Sequence, residues 1–364
     1  MNRRKFLTGA ATGLVAGAAA TTLSAPAIAQ GKRDLKMVTT WPKNFPGLGT
    51  GAQRVADRIT AMSDGRLNVK LYAAGELVPP LESFDAVSNG TADMYHGAEY
   101  YWQGKHKAFN FFTAVPFGFT ANELDAWVTF GGGQELWDKL SAQFNVKSFM
   151  AGNTGVQMGG WFNKEINTVE DFKGLKIRMP GLGGEVLRHL GAAAVTLPGG
   201  EIFPSLESGA IDATEWVGPW NDLAFGFYKV TKYYYQPGFH EPGSGLACGM
   251  NKDVWESFSP ADQALVQAAC YAENNVMLAE YNAKNGDSLD VLLNKHNVQL
   301  RTFSQDIMNV LGEKSELVVA EVGQTDDLSK EIYDSYIDFR KKVSRWTKLS
   351  ETDYTTARGT ALNI

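Results

Sequence analysis

Two segments of this chain repeat one short pattern, in which a helix ends at a glycine and a strand begins a few residues later. In residues 83–95 the glycine is Gly90, and in residues 204–214 it is Gly209; each is followed three residues later by an aspartate. Glycine is common just after a helix, where the backbone turns left-handed. The repeat predicts one supersecondary unit used once in each of two lobes.

Aligning the two glycines sets Tyr95 against Thr214 and His96 against Glu215. These positions end or follow a strand, which is where open α/β sheets bind ligands, so they are predicted to face a shared crevice. Convergent use of a common helix–glycine–strand turn would give the same pattern. One short match leaves both explanations open.

The periodicity of the preceding residues predicts an α/β protein. Residues 34–41 alternate like a strand, residues 51–62 have helical spacing, and residues 67–72 form the next strand. A strand, a helix and a strand at this spacing predict a parallel βαβ unit.

The second lobe is predicted to begin near residue 156, with a strand over residues 157–163. A further strand over residues 175–179 carries Arg178. The aromatic-rich residues 225–239 are predicted to form a return strand toward the first lobe, whose sheet then includes residues 246–251.

Helical spacing dominates the C-terminal third. Pro260 stands at the first helical position after Ser259, and apolar residues recur at helical spacing to residues 292–293. A helix of over thirty residues is far longer than usual. After a strand near residues 298–303, further helices run to the C-terminus. Such length predicts helices that span both lobes or pack against another subunit.

The N-terminal segment has the composition of an export signal. Arg3, Arg4 and Lys5 precede a small-residue apolar run that ends at residues 27–29. The paired arginines resemble a twin-arginine signal, so residues 1–29 are predicted to be removed on export to the periplasm. About 335 residues then remain, enough for two lobes of ordinary size.

The charge of the chain excludes one class of partner. The formal net charge is −6, and removal of the basic export segment makes it about −9. Nucleic acid is excluded as a partner for so acidic a surface. An anionic ligand would have to be held by local positive charge. No later segment has about 18 consecutive apolar residues, so none is predicted to cross a membrane.

The two cysteines, Cys248 and Cys270, leave two interpretations open. An oxidising compartment would allow a disulfide between them. Two buried, inert thiols would fit their apolar surroundings equally well.

No motif predicts catalysis. Residues 47–52 formally match the glycine-rich dinucleotide pattern, but a Pro-bearing loop intervenes where a tight turn is required. Residues 243–245 lack the full nucleophile-elbow spacing, and His240-Glu241 has no second histidine for a zinc protease. The chain is therefore predicted not to be an enzyme.

Arg178 is the strongest candidate for a binding residue. A guanidinium near the end of an apolar strand is costly to leave unpaired, and its planar fork fits a carboxylate. A structural ion pair with Glu215 is the competing interpretation. Trp216 beside that glutamate, and Gln157 on an apolar strand, favour ligand binding. Amide, carboxylate and carbonyl oxygens also suit sodium or calcium.

These residues carry a family resemblance. The chain resembles the substrate-binding proteins of the tripartite ATP-independent periplasmic (TRAP) transporters, and among them the branch that binds 2-oxo acids such as pyruvate with a metal ion. The similarity spans nearly the whole mature chain, and its most specific pieces are residues 98–102, 174–181, 208–212 and 215–216.

The resemblance implies a role for each candidate residue. Arg178 becomes the carboxylate clamp, while Gln157, Glu215 and the main-chain oxygen of Trp216 hold the metal cation. The remaining predicted substrate-binding residues, which line or close the pocket, are Tyr95, His96, Tyr100, Tyr101 and Glu241.

It also implies a two-lobed periplasmic binding protein fold, type II-like, with the ligand cleft between α/β lobes and long C-terminal helices. Lobe I comprises residues 31–154 plus 240–296, and lobe II comprises residues 155–239 plus 297–364. The implied partners are the small and large subunits of a TRAP membrane permease and a second copy of the chain in a homodimer.

Charge counting bears on the cation. Arg178, Glu215, a monocarboxylate and one monovalent cation sum to zero, which favours sodium over calcium unless another acid joins. A 2-oxo or 2-hydroxy acid would offer the cation two neighbouring oxygens. Two alternatives remain open: an exported enzyme acting on such acids, and a ligand-sensing partner of a receptor.

Overall fold

The structure is a computed structural model that describes residues 31–363, and the chain from Lys32 onward forms one compact unit. The predicted export signal, residues 1–29, lies outside the described residues. Within residues 31–363, every helix is too short or insufficiently apolar to span a lipid bilayer.

The described residues contain eleven strands: β1 (Arg33–Thr39), β2 (Leu67–Tyr72), β3 (Met94–Gly97), β4 (Val146–Asn153), β5 (Gly160–Phe162), β6 (Lys176–Arg178), β7 (Ala193–Val195), β8 (Ala213–Thr214), β9 (Tyr233–Gln236), β10 (Gly245–Asn251) and β11 (Gln299–Thr302). They form two sheets, one of order β2-β1-β3-β10-β4 and one of order β11-β9-β5-β8-β6-β7.

Twelve α-helices surround these sheets in the described part of the chain: α1 (Leu48–Met62), α2 (Ser83–Ser88), α3 (Ala121–Phe130), α4 (Gly133–Ala142), α5 (Gly181–His189), α6 (Gly199–Glu207), α7 (Pro219–Phe225), α8 (Lys252–Glu256), α9 (Pro260–His296), α10 (Gln305–Val322), α11 (Asp327–Thr347) and α12 (Asp353–Leu362). The α/β fold class and the long C-terminal helices are confirmed.

The two sheets share one local topology. In the first, β1 is parallel to β2 and β3, and β10 runs antiparallel to β3. In the second, β6 is parallel to β7 and β8, and β5 runs antiparallel to β8. The predicted parallel βαβ unit is therefore present at the start of the first sheet.

The helix–glycine–strand repeat makes the same contacts in both sheets. Gly90 and Gly209 both have positive φ, at 81° and 72°. The carboxylate of Asp93 accepts a hydrogen bond from the main-chain nitrogen of Lys36 at 2.7 Å, and that of Asp212 accepts one from Lys176 at 3.0 Å. Each aspartate thus ties its strand to the neighbouring parallel strand.

The division into lobe I and lobe II stays a prediction. The first sheet draws its strands from residues 33–153 and 245–251, and the second from residues 160–236 and 299–302. These ranges lie within the segments expected for each lobe.

The predicted return strand over residues 225–239 is wrong in its extent. Only Tyr233–Gln236 is extended, and this strand lies between β5 and β11 in the second sheet. Gly226, with φ of 77°, ends α7 in a left-handed turn, and Phe227 follows it into the core. The crossing to the first sheet is made by residues 237–244.

The strand predicted over residues 157–163 is also shorter than expected. It begins at Gly160, whose φ of 120° is accessible to glycine but strained for other residues. Gln157 therefore lies in the coil before β5, so the alternation of side chains along a strand does not determine the direction of its side chain.

Helix α9 joins the elements around both sheets. Ser259 caps its N-terminus by accepting a hydrogen bond from the nitrogen of Asp262. The helix packs against α1, β4 and α7. Buried Glu273 accepts hydrogen bonds from Arg54 and Arg58 of α1, and the Tyr281 hydroxyl donates to Asn221 of α7 at 2.7 Å.

The glycines of residues 47–52 serve packing. A Cβ on Gly49 would lie 2.5 Å from the carbonyl oxygen of Pro42, and one on Gly47 would lie 2.7 Å from the Tyr281 ring. Because Gly47 and Gly49 have no Cβ, the start of α1 can lie close to α9 and to the preceding loop.

Cys248 and Cys270 are both buried and unbridged.

Candidate functional site

Parallel pairing of β6 and β8 brings Arg178 and Glu215 together. Arg178, the last residue of β6, is in register with Thr214, the last residue of β8. The carboxyl ends of parallel strands meet at one edge of a sheet, so Glu215, one residue further on, lies beside the arginine. The main-chain nitrogen of Glu215 donates to the Arg178 carbonyl oxygen at 3.2 Å.

Arg178 is fully buried and its guanidinium has partners on several sides. Its Nη1 donates to the Glu215 carboxylate, Nε donates to the Leu197 carbonyl at 3.2 Å, and Nη2 donates to the Tyr101 hydroxyl at 3.2 Å. The guanidinium carbon lies 5.1 Å from the centre of the Trp216 ring. Burial is the largest single influence and lowers the pKa of Arg178, but Glu215, Tyr101, Tyr100 and Glu241 together raise that pKa above its ordinary value.

A second acid and a histidine complete a buried cluster. One ligating atom from each of Glu215, His240 and Glu241 lies within 4.8 Å of the other two. His240 and Glu241 come from the segment that crosses from β9 to β10. Burial, with the charge of Glu215 as a second cause, raises the pKa of Glu241 to about 7.

Gln157 contacts this cluster through Glu241. Its side-chain nitrogen donates to Glu241 Oε2 at 2.8 Å and to Thr154 Oγ1 at 3.1 Å. Its main-chain nitrogen donates to the Glu241 carbonyl oxygen at 3.1 Å. The amide oxygen of Gln157 takes part in none of these hydrogen bonds.

Several buried polar atoms of the cluster have no hydrogen-bond partner. They are Gln157 Oε1, Glu215 Oε2, Trp216 Nε1, both ring nitrogens of His240, and Glu241 Oε1. His240 Nε2 is 3.4 Å from Glu215 Oε2 but lacks hydrogen-bond geometry. Because unpaired buried polar groups are costly, their concentration here indicates a ligand site. The amide and carboxylate oxygens among them fit a hard cation such as sodium or calcium.

Aromatic side chains form one wall of the site. The Trp41 ring lies 6.2 Å from the rings of both Tyr101 and Trp216. Tyr100 and Tyr101 contact each other edge to face at 4.9 Å. Burial raises the pKa of Tyr101 to about 12, so its hydroxyl keeps its proton at neutral pH. Tyr101 follows β3, so the site combines residues that follow strands of both sheets.

The structure does not bring Tyr95 or His96 into the Arg178 cluster, although both were predicted to line the pocket. The Tyr95 hydroxyl donates to Glu99 at 2.6 Å within the apolar core. His96 Nδ1 accepts from Trp41 Nε1 at 2.8 Å, and Nε2 lies 3.1 Å from the Ala151 carbonyl oxygen. Both side chains face the core because β3 is covered on each side. His96 supports the site only through Trp41.

Sequence reasoning missed Trp41 and His240. Trp41 follows β1, which is topologically equivalent to β6, so the repeat could have pointed to it. His240 neighbours Glu241, but its approach to Glu215 depends on the path of the crossing segment.

Comparison with known proteins identifies a family whose sequences match most of this chain. The sequence matches the bacterial extracellular solute-binding proteins of family 7 (DctP) over residues 37–326. It is 43% identical over 319 residues to a monocarboxylate 2-oxoacid-binding periplasmic protein of Nostoc sp., covering 88% of this chain and 87% of that protein.

Two solved structures are similar over nearly their whole length. A TRAP transporter solute-binding protein from Bordetella bronchiseptica, a dimer with calcium and picolinate in one active site, has a TM-score of 0.89 and 34% identity, covering 92% of this chain and 99% of that one. A TRAP periplasmic solute-binding protein from Pseudoalteromonas atlantica, with bound sodium and pyruvate, has a TM-score of 0.87 and 40% identity, covering 89% and 99%.

Proposed function

The chain belongs to family 7 of the bacterial extracellular solute-binding proteins, and from this premise we propose that it captures a small 2-oxo monocarboxylate, such as pyruvate, together with a cation. It acts in the periplasm and delivers this anion to the small and large membrane subunits of a TRAP permease. The observation that carries the proposal is the group of unpaired buried polar atoms around one buried arginine.

In this proposal Arg178 holds the carboxylate of the ligand. Its guanidinium is fixed by Glu215, Leu197 and Tyr101, so it is already oriented before the ligand arrives. Preorganised donors lose less entropy on binding than mobile ones. The rings of Trp41 and Trp216 exclude water from the ion pair, which strengthens it.

Gln157, Glu215 and the main-chain oxygen of Trp216 would hold the cation, with Glu241 as a further acid beside them. A cation held by these residues would supply positive charge to offset the buried carboxylates. A 2-oxo acid offers it a carboxylate oxygen and the adjacent keto oxygen together, which plain acetate cannot do.

The ionisation of Glu241 decides which cation balances the site. With Glu241 protonated, one monovalent ion makes the charges of Arg178, Glu215 and the ligand sum to zero. With Glu241 ionised, a divalent ion does so. Burial and the charge of Glu215 raise the pKa of Glu241, which favours its protonated form without a cation, whereas a bound cation would favour its ionised form. This agrees with relatives that bind sodium or calcium.

A second copy of the chain is the proposed partner of the C-terminal helices. Trp346, Leu349, Tyr354 and Leu362 are each more than half exposed, and α12 has no buried residue. An apolar surface of this kind commonly marks a protein interface. The dimer of the Bordetella bronchiseptica relative supports this proposal.

A thermal-shift screen tests the function. Metal-stripped protein is mixed with short 2-oxo and 2-hydroxy acids, with sodium or calcium restored, and with dicarboxylates and sugar acids as controls. A ligand that binds only the folded state raises the melting temperature. The proposal requires a rise with pyruvate that depends on the cation. A larger rise with a sugar acid or a dicarboxylate would contradict it, and turnover of pyruvate would favour an enzyme.

A further inference from the structure

Besides Glu215 and Glu241, the carboxylate of Asp222 on α7 is buried close to the site, where it contacts the residue that follows Trp216. It is 1% exposed. Its Oδ2 accepts hydrogen bonds from Trp161 Nε1 at 2.9 Å and from the Tyr234 hydroxyl at 2.7 Å. Its Oδ1 accepts from the main-chain nitrogen of Val217 at 3.3 Å. Each oxygen of this carboxylate is thus engaged, and one of them binds the main chain next to the site.

The Val217 nitrogen and the Trp216 carbonyl oxygen belong to one peptide group. A peptide group is planar and almost always trans, so its N–H and C=O point in opposite directions. By holding the N–H, Asp222 fixes the direction of the Trp216 oxygen. A negative charge at the N–H end also polarises the group and makes that oxygen a better acceptor.

The other side of this segment is fixed as well. The Val217 carbonyl oxygen accepts a hydrogen bond from the main-chain nitrogen of Met158 at 3.0 Å. Met158 is the neighbour of Gln157 in the chain. Two of the proposed cation ligands, the Trp216 oxygen and Gln157, are therefore set relative to each other through Val217.

We propose that Asp222 is a positioning residue for the cation, which aims and polarises the Trp216 carbonyl oxygen toward it. This inference rests on the proposed function, because it takes the Trp216 oxygen to be a cation ligand. A neutral side-chain amide has a single accepting oxygen, so only a carboxylate can accept from the Trp161 and Tyr234 side chains and from the Val217 N–H at the same time. Carboxylates behind metal ligands commonly raise metal affinity in this way.

The test uses Asp222→Asn, which keeps the shape of the side chain, removes its charge and replaces one of its two accepting oxygens by an NH2 group. Calcium alone is titrated into metal-stripped full-length mature protein by calorimetry at about pH 8, above the pKa of about 7 that burial gives Asp222. The variant should bind calcium between about tenfold and a hundredfold more weakly than the native protein. Calcium affinity within about twofold of native would overturn the inference.

Glu99→Gln is the matched control. Glu99 is also a buried carboxylate that accepts a hydrogen bond from a tyrosine, Tyr95 at 2.6 Å, and burial raises its pKa to about 7. It does not contact the Trp216 peptide group. Its variant should change stability yet keep native calcium affinity. An equal loss of calcium affinity in both variants would assign the effect to buried charge in general and overturn the inference.

A measurement on the native protein covers the case in which Asp222→Asn fails to fold. The Val217 amide resonance should shift when calcium is added, because the cation would polarise the peptide group that Asp222 holds. A Val217 resonance that does not respond to calcium would overturn the positioning role. Because calcium is added without any organic acid, a failure to bind pyruvate would count against the proposed function alone.

Discussion

Arg178 and Glu215 form an ion pair in which both side chains are 0% exposed. The pair uses Glu215 Oε1 and leaves Oε2 without a hydrogen bond. The structural ion pair and the ligand clamp, which compete as interpretations of the sequence, are therefore compatible. The pair orients the guanidinium, and the unpaired carboxylate oxygen stays free to serve the cation in the proposed site.

Replacing Arg178 tests the clamp. Arg178→Lys keeps the charge that Glu215 requires but loses the planar fork, so pyruvate affinity should fall roughly tenfold to a hundredfold. Arg178→Ala should lose binding altogether and also cost about 3–5 kcal/mol of stability, because it leaves a buried carboxylate uncompensated. Calorimetry and thermal melting measure the two effects.

Arg188→Lys is the control for the clamp. Arg188 lies on α5, is 40% exposed at its side chain, and donates to the Ala194 carbonyl oxygen. This variant should bind pyruvate with native affinity. Native affinity in Arg178→Lys as well would show that the fork does not hold the ligand.

Removal of the cation should weaken ligand binding. After treatment with a chelator, pyruvate should raise the melting temperature much less than before, and sodium or calcium should restore the effect. Saturation at about a hundred times the dissociation constant adds about 2.7 kcal/mol to stability. Gln157→Leu removes an oxygen donor of the proposed site and should abolish the restoration. Pyruvate binding that ignores both treatments would rule out a cation bridge.

The pH dependence of stability should change in Glu99→Gln. Burial raises the pKa of Glu99 from 4.5 to about 7 in the folded state. The folded protein therefore keeps a proton that the unfolded chain has lost, and this group's contribution to stability falls as pH rises from about 4.5 to about 7. The glutamine of the variant cannot ionise, so the stability of the variant should fall less than that of the native protein over this range. The difference between the two falls should be up to roughly 3 kcal/mol. Parallel stability profiles for the two proteins would refute the raised pKa.

Two glycine-to-alanine changes test the surroundings of one glycine in α1 and one in α9. A Cβ on Gly49 would meet a main-chain atom at 2.5 Å, so Gly49→Ala should lose about 1–3 kcal/mol of stability. Gly286 lies within α9 with no heavy atom near its Cβ position, so Gly286→Ala should gain about 1 kcal/mol from helix propensity. Denaturant unfolding measures both. A neutral Gly49→Ala would mean that the loop at Pro42 is not packed against α1.

Dimer formation should depend on the exposed C-terminal residues. Trp346 and Leu349 are 68% and 65% exposed. Changing both to aspartate should convert a dimer into a monomer, because an interface core does not accept unpaired charge. Light scattering during gel filtration measures the mass. A native protein that is monomeric at micromolar concentration would contradict the proposed interface.

Periodicity and strand ends predicted much of what the structure contains. Arg178 and Glu215 could be placed together because each lies at or just after the end of a short apolar strand, and parallel strands end at one edge. Helix α9 was predictable from Ser259, Pro260 and its apolar spacing. Strand ends, helix caps and apolar spacing depend on residues close together in the sequence, so they can be recognised from the sequence alone.

Sequence reasoning was least informative where the position of a residue depends on the tertiary fold. The aromatic run after residue 225 has the composition of a strand, but the left-handed turn at Gly226 breaks it. His96 aligns with Glu215 in the repeat, yet its ring contacts Trp41 and the Ala151 carbonyl oxygen and lies outside the Arg178 cluster. The contact of His240 with Glu215 arises from a crossing segment that has no periodic pattern.

The most direct test of the account is a crystal structure of the mature protein grown with pyruvate and calcium. The account predicts that the pyruvate carboxylate contacts the guanidinium of Arg178, and that calcium is bound by Gln157, Glu215 and the Trp216 main-chain oxygen. Pyruvate bound elsewhere, with Arg178 paired only to Glu215, would contradict it.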